Sequence, residues 1–221
     1  MLTIVPIHGT IIIKEGSTIL AKLFFYFGTM NSGKTLNMLA AKHNYDVTGR
    51  EALIISPMTD TRSEKGQVTS RVKGMSEPCL KIGKKEDLFQ TVKQRYEVSS
   101  KKLSVVFADE CQFLTIEQIN QLSDVVDEMG IPVMAYGLKN DFKTALFPAS
   151  KRLLEIADDV REVKTICFYC GHKAIYNALV EDNKLVQDGS SIHVGDAEYR
   201  SVCRKCYKKM KKNTEMFGKI Q

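Results

Sequence analysis

The sequence predicts an α/β fold: a P-loop domain with a mostly parallel sheet, followed by a small zinc-ribbon-like domain. Three observations carry that prediction. Strand-like apolar runs alternate with helix-like segments through the first two thirds of the chain, as in parallel sheets with helices on their faces. A glycine-bounded loop ending in Lys34-Thr35 lies between the first such strand and the first such helix. Past about Val163, long helical patterns give way to glycine, short polar runs and two Cys-x-x-Cys pairs.

Residues 1–19 match nothing that follows and stand apart as an extension, either an added strand or a disordered arm. The run KLFFYF (22–27) is short, aromatic and nearly continuous in apolar residues, which suits a strand buried on both faces. From Thr35 the pattern turns helical, with Leu36, Leu39 and Ala40 spaced for one face and Gly49 as the stop. EALIIS (51–56) is the next strand, and the polar stretch 57–71 reads as loop. LSVVFADE (103–110) is a buried strand ending in two acids. The helix at 114–130 has a capping box from Thr115 and Gln118 and closes at Gly130. A strand at 131–137 and a helix at 150–158, with Ser150 as N-cap, complete a domain spanning 20–163. The second domain spans 164–210, and 211–221 is a basic tail.

The chain has 221 residues, 43% hydrophobic and 26% charged, which is ordinary globular composition and enough for a real core. Its formal net charge is +6, with much of the excess in YRSVCRKCYKKMKKN near the C-terminus. That run reads either as a solvated basic end or as a surface for polyanions. No apolar run is long enough to cross a membrane. The apolar start lacks a basic n-region and is broken by Lys14 and Glu15, so it is not read as a signal peptide. The expected compartment is the reducing cytoplasm, where paired cysteines hold metal more readily than they form disulfides.

Gly28-Thr29-Met30-Asn31-Ser32-Gly33-Lys34-Thr35 fits G-x-x-x-x-G-K-[ST] at every fixed position. Backbone N–H groups of such a loop point inward around an anion, and the following helix adds its positive dipole end. Lys34 would reach the β- and γ-phosphates of ATP, and the Thr35 hydroxyl would bind Mg²⁺. Asp109 and Glu110 supply the acidic element expected where parallel strands end. Asp109 would hold Mg²⁺ directly or through water. Glu110 is then free to polarise a water or to take a proton from a hydroxyl. As neighbours on a strand, the two acids are expected to face opposite sides.

Cys167-x-x-Cys170 and Cys203-x-x-Cys206 offer four thiolates, the set for a closed tetrahedral Zn²⁺ site of structural type. His172 is not expected to ligate. Cys79 and Cys111 are singletons, read as reduced and partly buried. The insert at 171–202 is long and poor in large apolar residues, and pinned at both ends by one metal it reads as a loop forming a lid over a ligand.

Taken together, GTMNSGKT, DTR, ADECQFL, YGLKNDF with a later Phe147, VKTICFYC and YRSVCRKC resemble the thymidine kinase family of the cytosolic, zinc-containing type. The resemblance covers roughly residues 20–210. It implies transfer of the γ-phosphoryl of ATP to the 5′-hydroxyl of thymidine, with Glu110 as the general base. It places Asp109, Glu110, Cys111 and Gln112 beside the nucleotide, with Asp109 as the Mg²⁺-associated acid, and Asp60 and Arg62 close to the reacting phosphate. Met30, Phe113, Phe142 and Phe147 would wall the nucleoside pocket. The 171–202 insert resembles the family's lasso loop, whose backbone holds the base, and Tyr199 matches the lasso tyrosine. Homotetramers and feedback inhibition by thymidine triphosphate are implied in the same way, and no membrane or stable nucleic-acid partner is expected. Thr29 departs from the proline of many relatives, and Val194 from a common glycine. The rival reading is a zinc-ribbon P-loop ATPase acting on nucleic acid.

Overall fold

A computed structural model describes residues 21–59, 66–70, 75–99, 102–182, 184–189 and 198–212. The N-terminal extension, Asp60, Arg62, Val194 and most of the C-terminal tail lie outside the described residues.

The first strand, β1 (Leu23–Phe27), leads through the phosphate loop into α1 (Lys34–Val47) and β2 (Glu51–Pro57). A small hairpin of β3 (Gln67–Thr69) and β4 (Ser76–Pro78) precedes β5 (Leu80–Ile82) and α2 (Leu88–Val98). Then come β6 (Leu103–Ala108), α3 (Ile116–Met129), β7 (Val133–Gly137), α4 (Pro148–Ile156) and β8 (Asp159–Glu162). Six of these strands form one sheet in the order β5-β2-β6-β7-β1-β8, and every neighbouring pair is parallel.

The apolar run of β1 is continuous because both sheet faces are covered. Leu23 and Phe25 enter the cluster with Leu88 and Val92 of α2, Ile119 and Leu122 of α3, and Leu153 of α4. Phe24 and Tyr26 enter the opposite cluster with Met38 and Leu39 of α1. The Tyr26 and Tyr136 rings stack at 4.6 Å, and the Tyr136 hydroxyl donates to Asn37 Oδ1 on α1.

Several expectations are corrected here. The inward face of α1 runs through Met38, Leu39, Ala41 and Tyr45, so Leu39 is buried as expected, while Ala40 is exposed and Leu36 is half-buried. The phosphate loop, rather than the apolar spacing, sets where the helix starts and so which side meets the sheet. Helix α4 begins at Pro148, with proline's fixed φ suited to the first turn. Ser150 is therefore inside the helix, buried, and its hydroxyl donates to the Leu138 carbonyl at 2.6 Å. The stretch read as loop contains β3. Helix α2 was not anticipated: only Leu88 and Val92 of its charge-rich sequence are buried, and its start rests on Asp87, which accepts from the Gln90 N–H. The capping box at Thr115 and Gln118 forms as expected.

The second unit is built from β9 (Tyr176–Glu181), β10 (Lys184–Leu185), β11 (Glu198–Val202) and α5 (Arg204–Lys212). The three strands pair antiparallel in the order β10-β9-β11. Part of the 171–202 insert, at 176–181, 184–185 and 198–202, is thus sheet rather than loop. The reason is Ala178 and Val180, buried on β9, which fill the module together with Val202, Tyr207 and Met210. Helix α5 carries its cations outward, with Cys206, Tyr207 and Met210 inward, and runs two residues into the expected tail.

Candidate active site

The loop after β1 closes on itself. The Gly28 N–H donates to the Gly137 carbonyl at 3.3 Å, and a Cβ at Gly28 would lie 2.5 Å from both Ser32 Oγ and the Val163 carbonyl. The approach is too close for any side chain. Asn31 and Gly33 both take left-handed backbone angles, with φ of 60° and 83°. Lys34 is 7% exposed and its ammonium donates to the Thr29 carbonyl at 2.8 Å, so the cation lies back along the loop. Gly28→Ala should displace the loop, because the added methyl meets Ser32 and the Val163 carbonyl, and weaken binding of an ATP analogue at least ten-fold, measured by calorimetry against a matched thermal melt.

Asp109 and Glu110 follow β6, which ends at Ala108 rather than at the acids. The expected opposite-side arrangement on a strand is therefore corrected. Asp109 is anchored by its N–H to the Ile55 carbonyl, and its Oδ2 lies 3.4 Å from Thr35 Oγ1. Two ligands side by side on an octahedral Mg²⁺ sit about 3.0 Å apart, so this oxygen pair fits that ion. Glu110 is left-handed, at φ 48° and ψ 38°, and opens the short 3₁₀ turn Cys111–Phe113. A non-glycine residue there stores roughly 1–2 kcal/mol, which points to a functional reason for holding the carboxylate where it is.

Gln112 does the holding. Its Nε2 donates to Glu110 Oε2 at 2.5 Å, while its Oε1 accepts from the Leu138 N–H at 2.9 Å. The side chain is 3% exposed. It reaches β7 because Gly137 has no side chain: a Cβ there would lie 2.6 Å from Gln112 Oε1 and from Cys111 Sγ. Burial first, then the charges of Glu110 and Asp109, push the Cys111 thiol well above its usual range, so it is a neutral packing group.

Beside this turn lies a cavity of about 190 Å³ lined by Gln112, Phe113, Leu146 and Phe147, with Lys84 and Asp141 as its charged groups. The Phe113 and Phe147 rings meet edge-to-face at 5.9 Å. The structure thus brings these two phenylalanines together. Phe142 does not line that cavity: it is 1% exposed, and its carbonyl accepts from the Tyr207 hydroxyl. Met30 is half-buried where the phosphate loop meets the second unit. Tyr199 lies on β11, opposite Leu179. Sequence reasoning missed Lys84 and Leu146, which carry no signal beyond lying near motifs, and Asp141, which lies within YGLKNDF. Lys143, next in the chain, donates to the Gly189 carbonyl at 2.9 Å and ties this turn to the second unit.

The sulfurs of Cys167, Cys170, Cys203 and Cys206 lie within 4.8 Å of one another, with Cys170 and Cys203 at 3.6 Å. Four thiolates around Zn²⁺ at about 2.3 Å sit roughly 3.8 Å apart, so the set fits. The turns are formed as metal knuckles require: Gly171 N–H donates to the Cys167 carbonyl, and Cys206 N–H to Cys203 Sγ. His172 Nδ1 lies 3.2 Å from the Cys170 carbonyl.

The thymidine kinase family profile matches residues 21–207. The chain belongs to the thymidine kinase family. It is 41% identical over 192 residues to a thymidine kinase of Legionella pneumophila, covering 86% of this chain and 90% of that one. To a thymidine kinase of Streptococcus agalactiae it is 43% identical over 189 residues, covering 85% and 97%. To that of Lactobacillus acidophilus it is 41% identical over 193 residues, covering 85% and 96%. Among solved structures, the Pif1 helicase from Candida albicans has a TM-score of 0.40 at 15% identity, over 71% of this chain and 40% of its own. A likeness that slight says nothing of function, and the thymidine kinase relatives do not favour the reading as a nucleic-acid ATPase. The family match takes in the phosphate loop, the Asp109-Glu110 turn and all four cysteines. Among the described residues, no helix is long and apolar enough to cross a membrane.

Proposed function

We propose that the protein transfers the γ-phosphoryl of ATP to the 5′-hydroxyl of thymidine, giving thymidine monophosphate and ADP. The observation that most supports this reading is a convergence in a thymidine kinase family member. The phosphate loop, the Thr35–Asp109 oxygen pair and the buried Glu110 carboxylate meet beside an aromatic-lined cavity, where β1, β6 and β7 end.

Residues 28–35 hold the triphosphate with inward N–H groups, and Lys34 moves from the Thr29 carbonyl to the β- and γ-phosphates. Thr35 and Asp109 would hold Mg²⁺, which when bound neutralises charge on the phosphate oxygens. Glu110 takes the proton of the 5′-hydroxyl as its oxygen bonds to the γ-phosphorus. The bond from that phosphorus to the β,γ-bridging oxygen breaks, and ADP leaves. Gln112 keeps Glu110 aimed, and Arg62, with Asp60, acts on the charge of the transferring group. Phe113 and Phe147 wall the thymine base, with Met30 beside them and the lasso backbone and Tyr199 on its edge. The four cysteines bind structural Zn²⁺. The assembly is a cytoplasmic homotetramer inhibited by thymidine triphosphate at the substrate site. These last readings rest on the family resemblance.

The test is ATP-dependent phosphorylation across a nucleoside panel, with mass detection of products. Turnover that requires thymidine is the expected result. Turnover that requires DNA instead would overturn the reading. Gln112→Ala should lower kcat about ten-fold, the worth of one good hydrogen bond.

A further inference from the structure

Both backbone polar groups of one phosphate-loop residue are held by the cysteine-bearing unit. The Met30 N–H donates to Asn177 Oδ1 at 2.8 Å, and the Met30 carbonyl accepts from Ser201 Oγ at 2.5 Å. Asn177 lies on β9 and Ser201 on β11, and the two are direct partners in the antiparallel ladder. They are 3% and 8% exposed. Asn177 Nδ2 also donates to the Asn140 carbonyl at 3.3 Å, beyond the end of β7. The Ser201 carbonyl in turn accepts from the Phe168 N–H, inside the first cysteine turn. Cys203 follows Ser201 by two residues, and Tyr199 precedes it by two.

The consequence is geometric. In a planar trans peptide, C=O and N–H point in opposite directions. A Met30 carbonyl pinned outward on Ser201 therefore turns the Asn31 N–H the other way, at the residue where the loop goes left-handed. Asn177 fixes the preceding peptide plane. Two adjacent planes of the cradle are thus set from outside the loop. A flexible glycine loop left alone would sample other orientations before meeting an anion, at a cost in affinity.

We infer that Asn177 and Ser201 are positioning residues for the nucleotide: the cysteine-bearing unit preorganises the phosphate loop, and triphosphate affinity depends on it even with no nucleoside present. This rests on the reading of residues 28–35 as the nucleotide cradle. It gives the second unit a task beyond covering the nucleoside, and it links the strand that carries Tyr199 to the phosphates through a single cross-strand pair. Whatever shifts β11 shifts the loop, and by linkage the reverse holds.

The experiment measures the Kd of a non-hydrolysable ATP analogue with Mg²⁺ and no nucleoside, on full-length protein. Asn177→Ala and Ser201→Ala are each expected to raise it roughly ten-fold, since each leaves a buried backbone group without its partner. Ser201→Thr, which keeps the hydroxyl, should restore most of the affinity. Tyr207→Phe removes another hydrogen bond across the same seam, the one to the Phe142 carbonyl, without touching the loop, and should leave the Kd unchanged. Thermal melts and metal content identify any variant that has lost its second unit, and Ser201→Thr then carries the comparison. Wild-type affinity in both alanine variants would overturn the inference, as would an equal loss in Tyr207→Phe, which would mean general loosening of the seam. Failure of the wild-type protein to bind the analogue would instead overturn the nucleotide reading itself.

Discussion

Glu110→Gln is expected to bind ATP analogue and thymidine as the wild type does and to lose about 10²–10⁴-fold in kcat, the usual worth of a positioned general base. The substitution is close to isosteric and keeps an oxygen that can accept from Gln112, so the turn Cys111–Phe113 and its anchor on Leu138 should persist. What disappears is the charge that receives the hydroxyl proton. Phosphoryl transfer passes through a loose transition state in which the nucleophile has lost little of its proton, and that argues for the lower part of the range. Truncation to alanine would be a poorer test, because it removes the Gln112 contact as well and lets the left-handed backbone relax. Single-turnover kinetics at saturating ATP and thymidine separate chemistry from product release. A rate constant within ten-fold of wild type would show that the proton goes elsewhere, and Asp109, nearest to Thr35, would be the next candidate.

The difference between what the sequence made legible and what it did not follows from how each feature is encoded. The phosphate loop, the Thr115–Gln118 capping box and the cysteine pairs are local: fixed residue types at fixed short spacing, each with one physical use. β1 was legible because burial on both faces leaves a continuous apolar run. Helix α2 was not, because just two of its residues face the core and its polar remainder resembles a loop. β8 was missed for a related reason: as a four-residue edge strand it buries no full side chain and shows no alternation. In the site, Glu110 was named from its motif, but its left-handed backbone and the role of Gln112 depend on Gly137, some twenty-five residues away, lacking a Cβ. The Asn177–Ser201 pair lay deeper still. Both are ordinary strand residues, and their meaning comes from the ladder register that sets them side by side against Met30.

Removal of metal should separate the two units, and it is the larger of the expected stability effects. The core of the second unit consists of a few residues, among them Cys167, Cys203 and Cys206 themselves, with Tyr169, Ala178, Val180, Val202, Tyr207 and Met210 around them. With the thiols unligated, that cluster is too small to offset the entropy of ordering three short strands and a nine-residue helix. Structural Zn²⁺ supplies about 10–16 kcal/mol in small modules of this kind, more than the whole stability of many domains. The parallel sheet has two larger clusters of its own and no cysteine pair among them. Chelated protein, its metal loss verified by elemental analysis, should therefore lose protection from hydrogen exchange in β9, β11 and α5 while β1, β6 and β7 stay protected. Thymidine affinity should fall with it, because Tyr199 and the lasso lose their frame. Triphosphate affinity should fall too, because Asn177 and Ser201 release Met30. Metal-free protein that binds thymidine as tightly as before would refute the view of the cysteine-bearing unit as the frame of the nucleoside site. Loss of protection throughout the parallel sheet at the same moment would mean that the two units fold as one.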